Sequence, residues 1–350
     1  MLLLNHQILH DQMNEKLLAR GVNGTSVKHV VDSLISTSLR GVDSHGINLF
    51  PYYCRAVESG RIAKDPKIEI KMTSESAAVI EADDAFGHHS GAVAIDLAVE
   101  LAGKTGIAAV GVKHSTHFGA AAYFALRAAE KGFIGLSFTN GDALVKAYSS
   151  KEPFFGTNPI CFTAPLADEG PFCLDMATSL VSWNKINNYR RNNAPIPAHW
   201  AFDKDGRSVV DPHLAKSLSP IGDYKGFGLG MMVDILCGVL MGGLTSKDIL
   251  PMYTSPIEVK RKISHFFMAI DVSKFILLKT FAEKLQHIVE DIRNLPRLEG
   301  AQPMMVAGDP EKISETERRI SGIPVDEIKF GEFLELSQDF ETALVSEKPR

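Results

Sequence analysis

Cysteine, tryptophan and long apolar runs are all scarce in this 350-residue sequence. The four cysteines, Cys54, Cys161, Cys173 and Cys237, lie far apart and form no CxxC. That spacing excludes paired-thiolate motifs and suits free thiols in a reducing cytoplasm. The longest apolar stretch, FGLGMMVDILCGVLMGG (227–243), is interrupted by Asp234 and rich in glycine, so it reads as a buried helix and not as a membrane span. The opening MLLLNHQILHDQMNEK has no basic start and no small-residue cleavage site, and does not read as a signal peptide. Neither sign of charge dominates: Lys+Arg 37 against Asp+Glu 42 gives a formal −5, with both signs spread along the whole length. No basic stripe is left for a phosphate backbone. Nucleic acid and membrane are therefore not expected as partners.

Several familiar catalytic signatures are missing too. There is no GxSxG elbow, and Ser44 cannot use its neighbour His45 as a base without an unusual turn. His88 and His89 in GHHSG, with His114 and His117 in KHSTHFG, come with no HExxH, no paired cysteines and no acid at ligand spacing, so no metal is expected. The nearest approach to a dinucleotide fingerprint, Gly226, Gly228 and Gly230, follows a lysine and has no strand directly before it. Close helix packing explains those glycines better.

What is present is a soluble α/β pattern long enough for two domains, or for one large domain with an added lobe. Residues 1–40 read as helices, with Leu17, Val22, Val27, Val30, Val31, Leu34 and Ile35 near helical spacing and a cap region at Asn23–Ser26. From about residue 67 strands and helices alternate: KIEIKM and AAVIEAD as strands, GAVAIDLAVELAGKTG as a helix ended by Gly106, then IAAVGVKHS, HFGAAAYFALRAAEKG and FIGLSFTN. The polar NKINNYRRNNAPIPAHWAFDKDGR reads as a surface loop near a site, GDYKGFGLGMMVDILCGVLMGG as the start of a helix, HFFMAIDVSKF as a strand, and 311–350 as charged helix.

Proton chemistry remains as the candidate function. In RGVDSHGINLFPYY (40–53) an imidazole stands at a glycine-flanked corner where backbone can approach a ligand, and histidine titrates near neutrality. His45 and His117 are thus candidate acid/base groups for a carbonyl and hydroxyl couple, or else hydrogen-bonded structural histidines. Asp175, at the end of an apolar run, could orient an imidazole or cap a helix. Lys225 could meet a cofactor phosphate or face solvent.

DSHGINLFPYY, KHSTHFGAAAYFALRAAEKGFIGLSFTN, KEPFFGTNPICFTAP, LDMATS, IPAHWAFDKDG, DYKGFGL and HFFMAID follow one another in the order found in the type 2 malate/L-lactate dehydrogenase family, which the chain resembles over nearly its whole length. The resemblance implies a non-Rossmann α/β/α three-layer sandwich on a mixed sheet, a helical lobe built from both termini, and a homodimer. It divides the chain into an N-terminal lobe with the SHG motif (1–66), a cofactor-binding and catalytic α/β domain (67–310) and a C-terminal helical segment packed on the lobe (311–350). It implies an NAD-dependent reaction, with NADP the other candidate cofactor, at C2 of a small hydroxy or oxo acid of malate, lactate or ureidoglycolate type. His45, with Ser44 beside it, falls on the active-site histidine, and His117 on a second histidine that competes for the proton. Asn140, Asp175, Met176, Ala177, Lys225 and Gly308, Asp309 and Pro310 fall on cofactor contacts, Asp175 also assisting the acid/base step. Asp309 stands in AGDP, where relatives show a proline before the glycine.

One departure concerns the substrate. Leu49 stands where relatives carry an arginine able to clamp a carboxylate, and leucine offers no donor. Either another cation, with Arg55 the candidate, reaches the carboxylate, or the substrate is not a simple 2-hydroxy acid. A cyclic imine-2-carboxylate reductase and a non-catalytic dinucleotide-binding protein are the alternatives. Arg190 and Arg191 are candidates for holding a 2′-phosphate, with a solvated loop pair as the plainer reading.

Overall fold

The structure is a computed structural model that describes residues 1–147 and 149–345. Its centre is a seven-stranded sheet, in the order Glu69–Ser74, Ala77–Glu81, Ile107–Ser115, Ile263–Asp271, Phe133–Thr139, Ile160–Ala164 and Phe172–Met176. The strand Ala77–Glu81 pairs parallel with Ile107–Ser115, through the helix Gly87–Thr105, whereas Ile263–Asp271 runs antiparallel to both its neighbours. The sheet is mixed, as expected. The connecting helix closes at Gly106, whose φ of +90° few other residues would adopt.

The two-residue period of ISHFFMAID explains how this sheet is covered. Phe267 and Ala269 point to one face, into a core with the helices Gly87–Thr105 and Ala122–Ala129. Phe266 and Met268 point to the other, against Val233 and Cys237 of the helix Tyr224–Asp234 and its π-helical continuation Ile235–Val239. Full burial of a phenylalanine such as Phe267 contributes about 1.5–3 kcal/mol.

Both ends of the chain enter a second core. Leu9, Met13 and Leu17 of the helix His6–Ala19 meet Val27, Val30 and Leu34 of Gly24–Leu39, Phe50 and Tyr53 of Phe50–Glu58, and Phe330, Phe333 and Phe340. Asn23 caps the second helix by accepting from the Ser26 N–H at 2.8 Å. Here two details differ from the sequence reading. Leu2–Leu4 is a strand, paired antiparallel with Ile323–Val325, so the tail after residue 311 is not helix throughout. Gly322 and Asp326 bracket a short apolar run whose backbone groups are satisfied by the leucines.

A small five-stranded sheet, Ser208–Val209, Ala201–Phe202, Ser217–Leu218, Val145–Lys146 and Pro153–Phe155, completes the framework. Its short strands and the helix Trp183–Arg191 replace much of the expected polar loop. The helix is capped by Ser182, which accepts from the Lys185 N–H at 3.2 Å, and Ile186 is its single fully buried side chain. A segment so polar gives no amphipathic period to read.

Candidate active site

The SHG corner follows the helix Gly24–Leu39. A Cβ on Gly46 would collide with Ser38 Oγ, so only glycine lets the chain cross the helix end this closely. Ser38 Oγ also accepts from the Ile47 N–H at 2.9 Å. From the far end of the sequence Arg318 clamps the preceding turn, with Nη1 and Nη2 donating to the two oxygens of Asp43 at 2.5 and 3.0 Å. Ser44 and His45 are thus held on a corner anchored at both sides, and Ser44 Oγ lies 2.8 Å from His45 Nδ1.

His117 follows the strand Ile107–Ser115, and its ring stacks on that of His45 with centroids 5.7 Å apart. Tyr53 Oη sits 2.7 Å from His117 Nδ1. Burial holds the Tyr53 phenol well above its ordinary range, so it stays protonated. A buried hydroxyl needs an acceptor, and His117 Nδ1 supplies it; the proton of the neutral imidazole then resides on Nε2. Burial pushes His45 down to about 4, and pushes His117 well below its ordinary value, helped by His45, His88 and Arg261 nearby. Both rings are neutral near pH 7.

Two further histidines behind the site give a testable consequence for stability. His88 and His265 are fully buried, and desolvation pushes each down to about 3. Neither ring nitrogen of His88 has a hydrogen-bond partner among the described residues. Folding holds these groups neutral while the unfolded chain protonates them near the ordinary 6.5, so stability is full above 6.5 and falls as pH drops toward 3. The urea midpoint is expected to be clearly lower at pH 5 than at pH 7, and His88→Gln to flatten that slope. A wild-type midpoint equal at the two pH values would contradict the neutral burial of both rings.

Both imidazoles open onto a cavity of about 430 Å³, within the range of small-molecule sites. It lies where one end of the central sheet meets the other two parts: Thr139, Asn140 and Ile263 come from strand ends, Ser44, His45 and Leu49 from the corner, and Trp183, Asn184 and Lys216 from around the small sheet. The Asn140 amide is committed to the protein, donating to Leu244 O at 2.8 Å and accepting from the Ser264 N–H at 3.2 Å. Beside Gly141 a Cβ would meet nothing within 4 Å, so the backbone there is open to a ligand.

The buried cation on this wall is one that the sequence did not single out. Arg261, 3% exposed, donates through Nε to Leu250 O at 2.8 Å and through Nη2 to Asp142 Oδ1. Arg55, the sequence candidate for a substitute cation, is exposed and absent from the cavity wall, whereas Leu49 does line it. Arg55 sits on a helix whose inward positions are taken by Phe50, Tyr53, Cys54 and Val57, and so points to water.

The other sequence candidates lie outside this wall. Asp175 is in the edge strand Phe172–Met176, with Met176 and Ala177 next to it. Its Oδ2 accepts from the Ala122 N–H at 2.8 Å, serving as a cap supplied from another strand to the helix Ala122–Ala129. The protein packed around that carboxyl raises its pKa, although the residue keeps open surface. Gly308, φ +99°, lies against Cys173 of the same strand, and Pro310 follows in the helix Asp309–Ser321. Asp309 is bound at 3.0 and 2.6 Å by Arg293, and burial opposes the lowering of its pKa by that guanidinium. Lys225 is exposed at the start of the helix Tyr224–Asp234. Arg190 spends Nε and Nη2 on Pro212 O and Ala215 O at 2.6 and 2.8 Å, and Arg191 donates to Asn188 at 2.5 Å. Among the described residues no group of three or more His, Cys, Asp or Glu could hold a metal ion, and no helix is long and apolar enough to cross a membrane.

Comparison with known proteins decides the family. The family model described as malate/L-lactate dehydrogenase matches residues 4–333. The chain belongs to the malate/L-lactate dehydrogenase family. It is 38% identical over 315 residues to the malate dehydrogenase of Pyrococcus abyssi, covering 87% of this chain and 86% of that one. Against the ureidoglycolate dehydrogenase (NAD(+)) of Escherichia coli the identity is 29% over 322 residues, 92% of each chain. The crystal structure of malate dehydrogenase from Entamoeba histolytica superposes with a TM-score of 0.91 at 30% identity, covering 97% of this chain and 98% of that one. The protein is accordingly a dehydrogenase of this family, and its mixed α/β architecture is the family's.

Proposed function

We propose that this family member moves a hydride between a nicotinamide cofactor and C2 of a small 2-hydroxy or 2-oxo acid, with His45 as the acid/base. The observation that carries the reading is the convergence of two stacked neutral imidazoles and one buried arginine on a single cavity of about 430 Å³. With His45 Nδ1–H donating to Ser44 Oγ, its Nε2 keeps a lone pair to take the hydroxyl proton when the acid is oxidised. His117, its Nδ1 occupied by Tyr53, offers Nε2–H to the substrate oxygen. Arg261 anchors the carboxylate, and Asn184, donating to Ser44 O at 2.9 Å, keeps the corner in place.

The bound nicotinamide supplies the hydride acceptor or donor at its ring. The open backbone beside Gly141 and the mixed apolar and polar wall fit that ring together with a small acid. Asp175, Met176, Ala177, Lys225 and Gly308, Asp309 and Pro310 are the proposed contacts for the rest of the dinucleotide, Lys225 being placed on an exposed helix start. NAD is the proposed form, with NADP to be tested beside it, because one relative's name specifies NAD(+). Arg261 also removes the ground that Leu49 gave for a non-catalytic binding protein.

The same reading keeps the division at 1–66, 67–310 and 311–350 and the sandwich with a lobe from both termini, supported by the core shared between residues 4–62 and 323–343. It also includes a cytoplasmic location, supported by four free, buried cysteines, and a homodimer. Met231, Ile235 and Val239 expose an apolar stripe on the helix Tyr224–Asp234 and its continuation, as a surface shared with a second copy would. Light scattering is expected to give twice the 38.2 kDa chain mass, and Met231→Asp with Val239→Asp to halve it. A wild-type monomer would refute the dimer. The function itself is tested by assaying purified protein with both cofactors against malate, lactate, ureidoglycolate and larger 2-hydroxy acids. Cofactor reduction dependent on a hydroxy acid is the expected result, and cofactor binding with no turnover of any of them would overturn the reading.

A further inference from the structure

Resting on that reading, we infer that Leu49, Met252 and Tyr253 form a specificity wall for an apolar side chain on the 2-hydroxy acid, and that Arg61 is the positioning residue that holds this wall.

The wall follows from what surrounds His45. Leu49, 7% exposed, lines the cavity four residues beyond the imidazole and belongs to the buried core against which Met252 packs. Tyr253 joins the same wall, with its ring edge-on to Tyr52 at 5.9 Å. The carboxylate anchor is Arg261, already partnered by Asp142, and the other lysine or arginine of the wall, Lys216, is exposed. A substrate whose C1 carboxylate takes Arg261 therefore turns its remaining substituent to a surface with no donor from Leu49. A second carboxylate on that side would lose its hydration and find no cation among Leu49, Met252 and Tyr253 to pair with.

Arg61 explains why the wall has a fixed position. Residues 251–257 have no helix or strand and are largely open to solvent, so little of their own packing orders them. Arg61 is 1% exposed and directs its guanidinium into that segment: Nη1 donates to Met252 O at 2.9 Å and to Tyr52 Oη at 3.0 Å, and Nη2 to Ser255 Oγ at 2.9 Å and Pro256 O at 2.7 Å. Among the described residues no carboxylate lies within ion-pair distance of it. Burying a cation is costly unless its donors are met, and here carbonyls and hydroxyls of one exposed segment and its aromatic neighbour meet those of Nη1 and Nη2, while Nε is left without a partner among the described residues. The planar fork ties Met252 to Tyr52 of the helix Phe50–Glu58, which begins directly after Leu49.

The test is oxidation of 2-hydroxy-4-methylpentanoate, lactate and malate with the preferred cofactor. Each methylene that leaves water is worth about fourfold in binding, so kcat/KM for the branched acid, with three more side-chain carbons, should exceed that for lactate by about sixtyfold, with malate no better than lactate. Leu49→Arg should shift the malate to branched-acid ratio by about a hundredfold or more toward malate. Arg61→Lys keeps the charge and loses the fork; it should raise KM for the branched acid more than it lowers kcat, and narrow the preference over lactate. Preference of the wild type for malate or lactate, or an unchanged ratio in Leu49→Arg, overturns the wall while leaving the dehydrogenase reading intact. No turnover of any of the three, with either cofactor, overturns both.

Discussion

His45→Gln is expected to lower kcat by about a hundredfold or more, because a positioned acid/base group commonly contributes that much. Glutamine fills similar space and can still meet Ser44 Oγ, so folding and cofactor affinity should be retained. The pH profile should change with it. With His45 pushed down to about 4, the neutral base is present across the neutral range, and wild-type oxidation should lose rate only as pH falls toward that value. The reverse reaction draws on the protonated ring, whose fraction falls about tenfold per pH unit above its pKa, so reduction should slow as pH rises. Full activity in His45→Gln would assign the proton to His117.

Arg261→Gln is expected to reduce kcat/KM for a hydroxy acid by about a hundredfold to a thousandfold. A hydrogen bond to a charged partner is worth about 1.5–3 kcal/mol, and a carboxylate on a guanidinium makes up to two of them. Because the variant also strands Asp142, the partner of Arg261 Nη2, the double variant Arg261→Gln, Asp142→Asn separates the two effects. The methyl ester of the same acid supplies a control, since it lacks the charge that Arg261 is proposed to bind. An equal loss for acid and ester would show that Arg261 shapes the fold and does not bind the carboxylate.

Arg261 also marks where sequence reasoning stopped. VKRKIS puts three cations in a row, just before the strand Ile263–Asp271, and the backbone turns at Lys262, whose φ is +52°. Lys260 and Lys262 reach out to Asp84 at 3.3 and 2.8 Å, while Arg261 between them turns inward. Nothing in the composition of the run distinguishes the middle residue. Tyr53 was legible as an aromatic after the SHG corner, yet its bond to His117 joins residues 64 apart and depends on how the helix Phe50–Glu58 meets the sheet. The central strand, by contrast, was plain in HFFMAID, because its alternation reports both covered faces at once. So was the corner, since a histidine between residues that must pass close to a helix end requires Gly46. The helix Trp183–Arg191 was not, its stability resting on a serine cap and one buried isoleucine.

Direct transfer from C2 can be followed with a 2-hydroxy acid deuterated at that carbon, in ordinary water, with the reduced cofactor recovered for mass spectrometry. One deuterium per reduced nicotinamide, in both wild type and the slower His45→Gln, is the expected result, since in the proposed reaction the imidazole moves the hydroxyl proton and never the C2 hydrogen. Reduced cofactor without the label, or deuterium released to solvent, would contradict hydride transfer at C2.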